Sequence, residues 1–368
     1  MSDIFAQKFE EIKSEIPNSK IASLLRKIKA NIGLRPLVLY GAGQLGVAFL
    51  DACRELGLAV AAFCDRRAID AVDGIPVIDA DRLRREFSDA LVMVCSQAYK
   101  DDIMNTLSGL GFPDERIIGC PIEFGNYLAV KGFVRYVSGY AWAYSFFSDE
   151  SSKALVLDKI RLYLLDRPLK PNTKSACYYE EGVIALGTNE VFVDGGAYTG
   201  DTAEDFIKRN NVAGYHVYSF EPDPENYAKA AQDLAKYEHV TLTQKGLWSR
   251  ETELLFTPNP ENMAGSSFVI ATDADQVRVP VTSLDAFFAD KPQLPTFIKM
   301  DIEGAEKEAL IGAANIIKKA KPKLAICAYH KIEDVYELPQ TLLSIRDDYK
   351  FCLRQHKYGC WDTILYAV

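Results

Sequence analysis

No run of apolar residues in the chain approaches the roughly 20 needed to span a bilayer, so no membrane span is expected. Met1-Ser2-Asp3-Ile4-Phe5 brings an early acid and lacks the long apolar stretch of a secretory signal, which predicts a cytoplasmic protein. The eight cysteines (Cys53, Cys64, Cys95, Cys120, Cys177, Cys327, Cys352, Cys360) include no Cys-x-x-Cys pair. That spacing excludes the common zinc and redox motifs and points to buried free thiols in a reducing compartment. Positive charge is also short. A net charge of -9 argues against a nucleic-acid surface. What is present, 48% hydrophobic and 25% charged residues, is ordinary for a soluble globular protein, and 368 residues suffice for two domains. Homo-oligomerisation is left open.

Hydrophobic spacing divides the chain into four parts. Residues 1–34 read as two helical pieces, with Phe5, Phe9, Ile12 and Ile16 on one face and Ile21, Leu24, Leu25 and Ile28 on the next. Residues 35–120 alternate strands (Leu37–Tyr40, Ala59–Cys64, Ala90–Cys95) with helices, a small Rossmann-like parallel α/β domain. Residues 121–185 carry no strand signal but crowd aromatics such as Tyr140, Trp142, Phe146 and Phe147, and they read as a packed helical connector. Residues 186–368 form a second α/β domain. Its expected strands are Glu190–Val193, His216–Phe220, His239–Gln244, Phe297–Met300, Lys323–Ala328, Tyr349–Gln355 and Thr363–Val368. The last two flank Lys357-Tyr358-Gly359, a hairpin turn. Seven strands closed by an antiparallel hairpin match the sheet of class I methyltransferases. Between Leu254 and Phe287 a loop through Met263–Ser267 and a short strand, Val277–Thr282, are expected on the ligand side.

Ligands of an open parallel sheet bind at the carboxyl ends of its strands. In the second domain Val191-Phe192-Val193 runs into Asp194-Gly195-Gly196-Ala197-Tyr198-Thr199-Gly200, and Asp201-Thr202 opens a helix. This strand, glycine turn and helix N-terminus make a nucleotide cradle. The acid repels a pyrophosphate and suits the cationic amine of S-adenosylmethionine. Glu221-Pro222 follows 27 positions after Asp194 (221 minus 194), near the spacing at which an acid meets ribose hydroxyls. Asp301 and Glu303 sit where the fourth strand ends, placed to orient a substrate hydroxyl, and Glu306 reads as structural. No metal is expected. His330, after the fifth strand, is the expected general base, because an imidazole near pKa 6.5 takes a hydroxyl proton at neutral pH. Asp301 is the competing base, and His356 on the hairpin is expected to line the same mouth.

Asp194–Gly200, Glu221-Pro222-Asp223-Pro224 and Ile298-Lys299-Met300-Asp301-Ile302-Glu303-Gly304-Ala305-Glu306 resemble the ordered motifs of the FkbM family of methyltransferases. The resemblance extends to Ser283-Leu284-Asp285 and the closing Thr363–Tyr366 strand, and covers roughly the C-terminal half. It implies an S-adenosylmethionine-dependent methyltransferase acting on hydroxyls of sugars or other secondary metabolites, such as surface polysaccharide or glycolipid precursors. Many family members carry an acid near the end of the fifth strand, where this chain has Tyr329-His330.

The first domain carries a second glycine turn. Gly41-Ala42-Gly43-Gln44-Leu45-Gly46 fits G-x-G-x-x-G after a strand, Asp65 lies 24 positions after Gly41 (65 minus 41), and Arg66-Arg67 follows. The segment through Gly74–Val77 is similar to nucleotide-sugar-binding N-terminal domains of some sugar O-acyltransferases. A nucleotide-sugar, NAD or a bare packing module all fit. The three glycines favour a real nucleotide site. Three functions therefore compete: O-methyl transfer to a sugar or glycan, NAD-linked oxidoreduction centred on the first domain, and nucleotide-sugar binding without catalysis.

Overall fold

A computed structural model describes residues 3–18, 34–55, 57–96, 99–119, 133–165, 167–210, 214–256 and 277–368. The second expected N-terminal helix and the Met263–Ser267 loop lie outside these residues. The chain divides into two units. One comprises residues 3–135 with 158–167, the other 136–157 with 168–368.

The first unit is built on six strands, β1 (Leu37–Tyr40), β2 (Val60–Cys64), β3 (Ala71–Val72), β4 (Ile75–Ile78), β5 (Leu91–Val94) and β6 (Ile117–Ile118), in the order β3-β4-β2-β1-β5-β6. All neighbours are parallel except β3 and β4. Side chains alternate between two cores, as a period of two demands. Leu39, Phe63 and Met93 enter one cluster with Phe49, while Val38, Ala62 and Val92 enter the other with Leu107. Burial on both faces explains why these strands read as unbroken apolar runs.

The second unit carries a seven-stranded sheet. Its strands are β7 (Val191–Gly195), β8 (His216–Phe220), β9 (Val240–Thr243), β13 (Phe297–Met300), β14 (Lys323–Cys327), β15 (Phe351–Gln355) and β16 (Thr363–Ala367). Between β9 and β13 the chain adds β10 (Gly246–Leu247), β11 (Thr252–Phe256) and β12 (Val277–Thr282), a separate three-stranded sheet of order β10-β12-β11. The main order is β15-β16-β14-β13-β7-β8-β9, parallel except where β16 meets β14 and β15. All seven strands and the closing hairpin stand where the sequence placed them, within two residues.

Aromatic stacking under this sheet, with Phe192 on Phe206 at 4.4 Å and Phe297 at 4.9 Å from Phe192, ties β7 to β13 and to the helix Asp201–Arg209. The helix Pro224–Leu234 starts where it does because Asp223 accepts the N–H groups of Glu225 and Asn226 at 2.9 and 3.0 Å, with Pro224 in the first turn. Tyr140 and Phe147 of the expected connector are buried, and Phe146 packs on Phe351 at 5.1 Å. Residues 168–185, which the sequence assigned to the connector, instead belong with the second unit. Leu169 pairs with Gly359, and Lys323 reaches the carbonyl of Ala185 at 2.8 Å. Such long-range pairings leave no local periodicity for a sequence reading to detect.

Candidate active site

Strand order reverses between β7 and β13, the switch point where open α/β sheets hold their ligands. Register sets Asp194 directly beside Lys299 there. Lys299 Nζ lies 2.9 Å from Asp194 Oδ1 and donates to the Gly196 carbonyl at 2.8 Å. Both side chains are buried, 2% exposed for Lys299 and 0% for Asp194. Burial opposes the lysine charge, but the Asp194 and Asp301 carboxylates outweigh it and hold the ammonium above its usual range. The negative charge expected to meet a cofactor amine is thus already matched inside the protein. Lys299, not Asp194, lines the adjoining cavity.

The glycines of the turn answer to the chain's own packing. At Gly196 (φ +78°) a Cβ would stand 1.9 Å from the Asp301 carbonyl oxygen, and at Gly200 (φ +90°) it would press on Leu234 at 2.9 Å. A Cβ on Gly195 would meet Leu247 at 2.8 Å. The turn can therefore lie against the end of β13 only without side chains. Ala197 is fully buried behind it, while Gly196, Asp201 and Thr202 face the cavity.

That cavity, about 690 Å³, lies wholly within the second unit and is of a size for a cofactor with part of a substrate. Glu221 and Pro222 line it after β8. Glu221 accepts the N–H of Tyr198 at 2.8 Å and of Asp223 at 2.9 Å, one on each oxygen. Burial pushes its carboxyl up to about 7 against those two donors.

Asp301, in the same lining, is clamped by two phenols. Tyr178 donates to Oδ2 at 2.9 Å and Tyr329 to Oδ1 at 3.0 Å. Burial alone would raise this carboxyl, but the charges of Lys299 and His330 and the two hydroxyls hold it below the usual range. Glu303 differs. Its backbone is left-handed (φ +54°), a strained setting for a non-glycine residue, and burial with nearby carboxylates raises it to about 7 against the pull of His330.

The structure encloses His330, the base that the sequence suggested, among acids. Its ring sits inside three carboxylates, Nδ1 2.9 Å from Glu306 and Nε2 3.4 and 3.5 Å from Asp301 and Glu303. Burial would lower its pKa, yet Glu306 first, then Asp301 and Glu303, raise it to about 10. That shift favours the imidazolium, which has no lone pair to offer a hydroxyl proton. It lies only 7% exposed behind the cavity lining. Glu306 also accepts the Ile302 N–H at 2.9 Å.

His356 is also withdrawn from the site. Its Nδ1 lies 3.2 Å from the Ser175 carbonyl and Nε2 lies 2.8 Å from the Tyr366 hydroxyl. The carbonyl can only accept, which assigns the proton to Nδ1. Burial lowers the pKa, so the ring is a neutral structural bridge outside the lining. The sequence reading missed Lys299, Tyr178, Tyr329 and Trp361, which all line the cavity. Lys299 alone had a visible signal, as the one charged residue in an otherwise apolar strand.

In the first unit, Gly41 (φ +115°) approaches the Cys95 carbonyl, and a Cβ on Gly46 would fall 2.0 Å from the Gly41 carbonyl. Gly43 is less crowded: a Cβ there would meet only the Arg67 guanidinium, at 3.8 Å. Asp65, expected to meet a ribose, accepts the Ala42 N–H at 2.7 Å and the Arg67 N–H at 2.9 Å, and it is ion-paired with the Arg67 guanidinium. Both oxygens brace the chain's own turn. Arg66 lies over the Tyr99 ring at 5.1 Å.

Among the described residues no group of three or more His, Cys, Asp or Glu is arranged to hold a metal ion, and no helix is long and apolar enough to cross a membrane. No curated protein matches the chain. Among solved structures, the methyltransferase FkbM from Methylobacillus flagellatus KT is 23% identical, over 100% of this chain and 99% of that one, with a TM-score of 0.63. This likeness establishes a shared fold. Slighter likenesses, both 11% identical, include Aeropyrum pernix fibrillarin with natively bound S-adenosyl-L-methionine (51% of this chain, 71% of that one, TM-score 0.33). The other is precorrin-6y C5,15-methyltransferase from Geobacter metallireducens GS-15 (50% of this chain, 82% of that one, TM-score 0.32). Residues 194–351, which contain the glycine turn, Glu221 and the Asp301–Glu306 run, match the methyltransferase FkbM domain.

Proposed function

We propose that the second unit is an S-adenosylmethionine-dependent O-methyltransferase acting on a sugar hydroxyl. The observation that carries this reading is a single cavity lined together by Glu221, Gly196 of the glycine turn, Asp301 and Glu303. The donor set fits the cofactor. Six carboxylates (Asp201, Asp205, Glu221, Asp301, Glu303, Asp362) but only three cations (Arg209, Lys299, Lys357) line the cavity. All three cations are paired, with Asp205, Asp194 and Asp362. An acidic wall of this kind favours a sulfonium cofactor and disfavours the pyrophosphate of a dinucleotide.

When bound, S-adenosylmethionine supplies an electrophilic methyl group. Glu221, held by two backbone donors, is placed to accept hydrogen bonds from ribose hydroxyls. Glu303 would take the proton of an acceptor hydroxyl, since a carboxylate near 7 combines availability at neutral pH with useful basicity. Asp301, with both oxygens engaged by phenols, anchors Tyr178 and Tyr329. His330 keeps the carboxylate cluster from accumulating negative charge. Most of the rate is alignment, with the base adding about 10²–10⁴-fold.

The experiment is isothermal titration with S-adenosylhomocysteine, together with incubation of labelled S-adenosylmethionine with sugar nucleotides and polysaccharide precursors followed by mass analysis. Glu303→Gln is expected to keep cofactor affinity and lose turnover by about 10²-fold or more. Unchanged turnover in that variant removes Glu303 as the base. Failure of the intact protein to bind S-adenosylhomocysteine removes the cofactor assignment.

A further inference from the structure

Trp361 is 53% exposed, yet it lines the same cavity as Asp301 and Glu303. An indole left this open forgoes much of the area that a tryptophan normally buries. Its loop, between β15 and β16, is nonetheless firmly pinned. The Gln355 amide donates to the carbonyls of Lys357 (2.6 Å) and Trp361 (2.5 Å), and its own oxygen accepts from Thr363 at 2.5 Å. Gly359 exchanges two backbone hydrogen bonds with Leu169 at 2.9 and 3.0 Å, and Lys357 is ion-paired with Asp362 at 2.7 Å. The indole's place is set by its backbone, not by burial of the ring.

Trp361 stands edge-on to Tyr329, centroids 5.8 Å apart at 88°. Tyr329 in turn donates its hydroxyl to Asp301. An exposed aromatic corner is therefore joined, through one phenol, to the carboxylates proposed to carry the chemistry. The acceptors that share its cavity include Asp301, Glu303 and Asp362. The nearby cation, Lys357, is already neutralised by Asp362.

We propose that Trp361 and Tyr329 form the acceptor subsite, and that it takes the saturated ring of a pyranose with its C–H face against the indole. This deepens the methyl-transfer reading and rests on it. A pyranose presents an apolar face and a rim of hydroxyl donors, and the corner offers an aromatic surface beside a set of carboxylate acceptors. An anionic ligand would find no unpaired cation among the lining residues, and a purely apolar one would leave the carboxylates unanswered. A pinned loop suits this role because a preorganised surface loses little freedom when the ring docks.

The test uses the full chain and two variants, Trp361→Ala and Trp361→Phe. Saturation-transfer NMR is recorded with the methyl glycosides of glucose, galactose, mannose and rhamnose, and with catechol as a flat aromatic comparison. S-adenosylhomocysteine affinity is measured in parallel by calorimetry. We expect at least one pyranoside to receive saturation at its ring protons, at least about fivefold less in Trp361→Ala and partly restored in Trp361→Phe, with S-adenosylhomocysteine affinity unchanged in all three. Equal pyranoside signals in the intact protein and Trp361→Ala overturn the proposal. So does the absence of any pyranoside signal, or a response to catechol alone. Pyranoside binding without S-adenosylhomocysteine binding supports the subsite and strikes instead at the methyl-transfer reading.

Discussion

Replacing Lys299 by methionine probes the centre of the sheet. The ammonium lies 2.9 Å from Asp194 Oδ1 and 2.8 Å from the Gly196 carbonyl, in a pair with almost no exposure. Methionine fills a similar volume but leaves a buried carboxylate without its partner. Removing one member of a buried pair costs about 3–5 kcal/mol, a large part of the roughly 5–15 kcal/mol that holds a typical domain folded. The loss should also depend on pH. Burial already pushes the Asp194 carboxyl up, and Lys299 is the main charge opposing it. Without Lys299, the folded state holds a proton that the unfolded chain releases near about pH 3.9. Stability is then complete below that pH and falls as pH rises through the folded-state pKa, by up to about 1.4 kcal/mol per pH unit.

Urea unfolding of Lys299→Met at about pH 5.5 and about pH 8 should therefore show the larger deficit at the higher pH. The double variant Asp194→Asn with Lys299→Met, which removes both charges, should recover much of the loss. A deficit below about 1 kcal/mol, an equal deficit at both pH values, or a double variant no better than the single refutes the reasoning.

Three further outcomes follow from the same site. Gly196→Ala must place a Cβ against the Asp301 carbonyl at 1.9 Å from a left-handed backbone, so its unfolding free energy in urea should fall by more than the roughly 1–2 kcal/mol of backbone strain alone. Tyr178→Phe removes a donor from Asp301, worth about 1.5–3 kcal/mol for a charged acceptor. The Asp301 carboxyl, followed by carbon-13 NMR, should titrate at higher pH than in the intact protein. If Glu303 is the base, the rate should climb with pH up to about 7, its pKa, and then level. Its acid limb should vanish in Glu303→Gln, and a limb that persists there belongs to another group.

Much of the fold was legible in the sequence because burial leaves a local trace. The runs Leu37–Tyr40, His216–Phe220 and Phe297–Met300 became strands with those bounds, and the Thr363 strand returned antiparallel beside β14. The short pairings were not. β12 was expected at Val277–Thr282, but its partner β10, like β3, is only two residues long, too brief for any period to register.

Sequence by itself determined the strand–turn–helix order, the positions of the carboxylates at strand ends and the place of the glycine turn. It did so because an apolar period and a turn residue each act over a few neighbouring positions. Only the tertiary structure decided what each charged group meets. Asp194 and Lys299 become partners from 105 positions apart, and Tyr178 reaches Asp301 across 123. His330, whose type suggested a base, lies among three carboxylates that favour its cation. The protonation state of a buried group depends on the charges within a few ångströms of it, and chain order does not specify those.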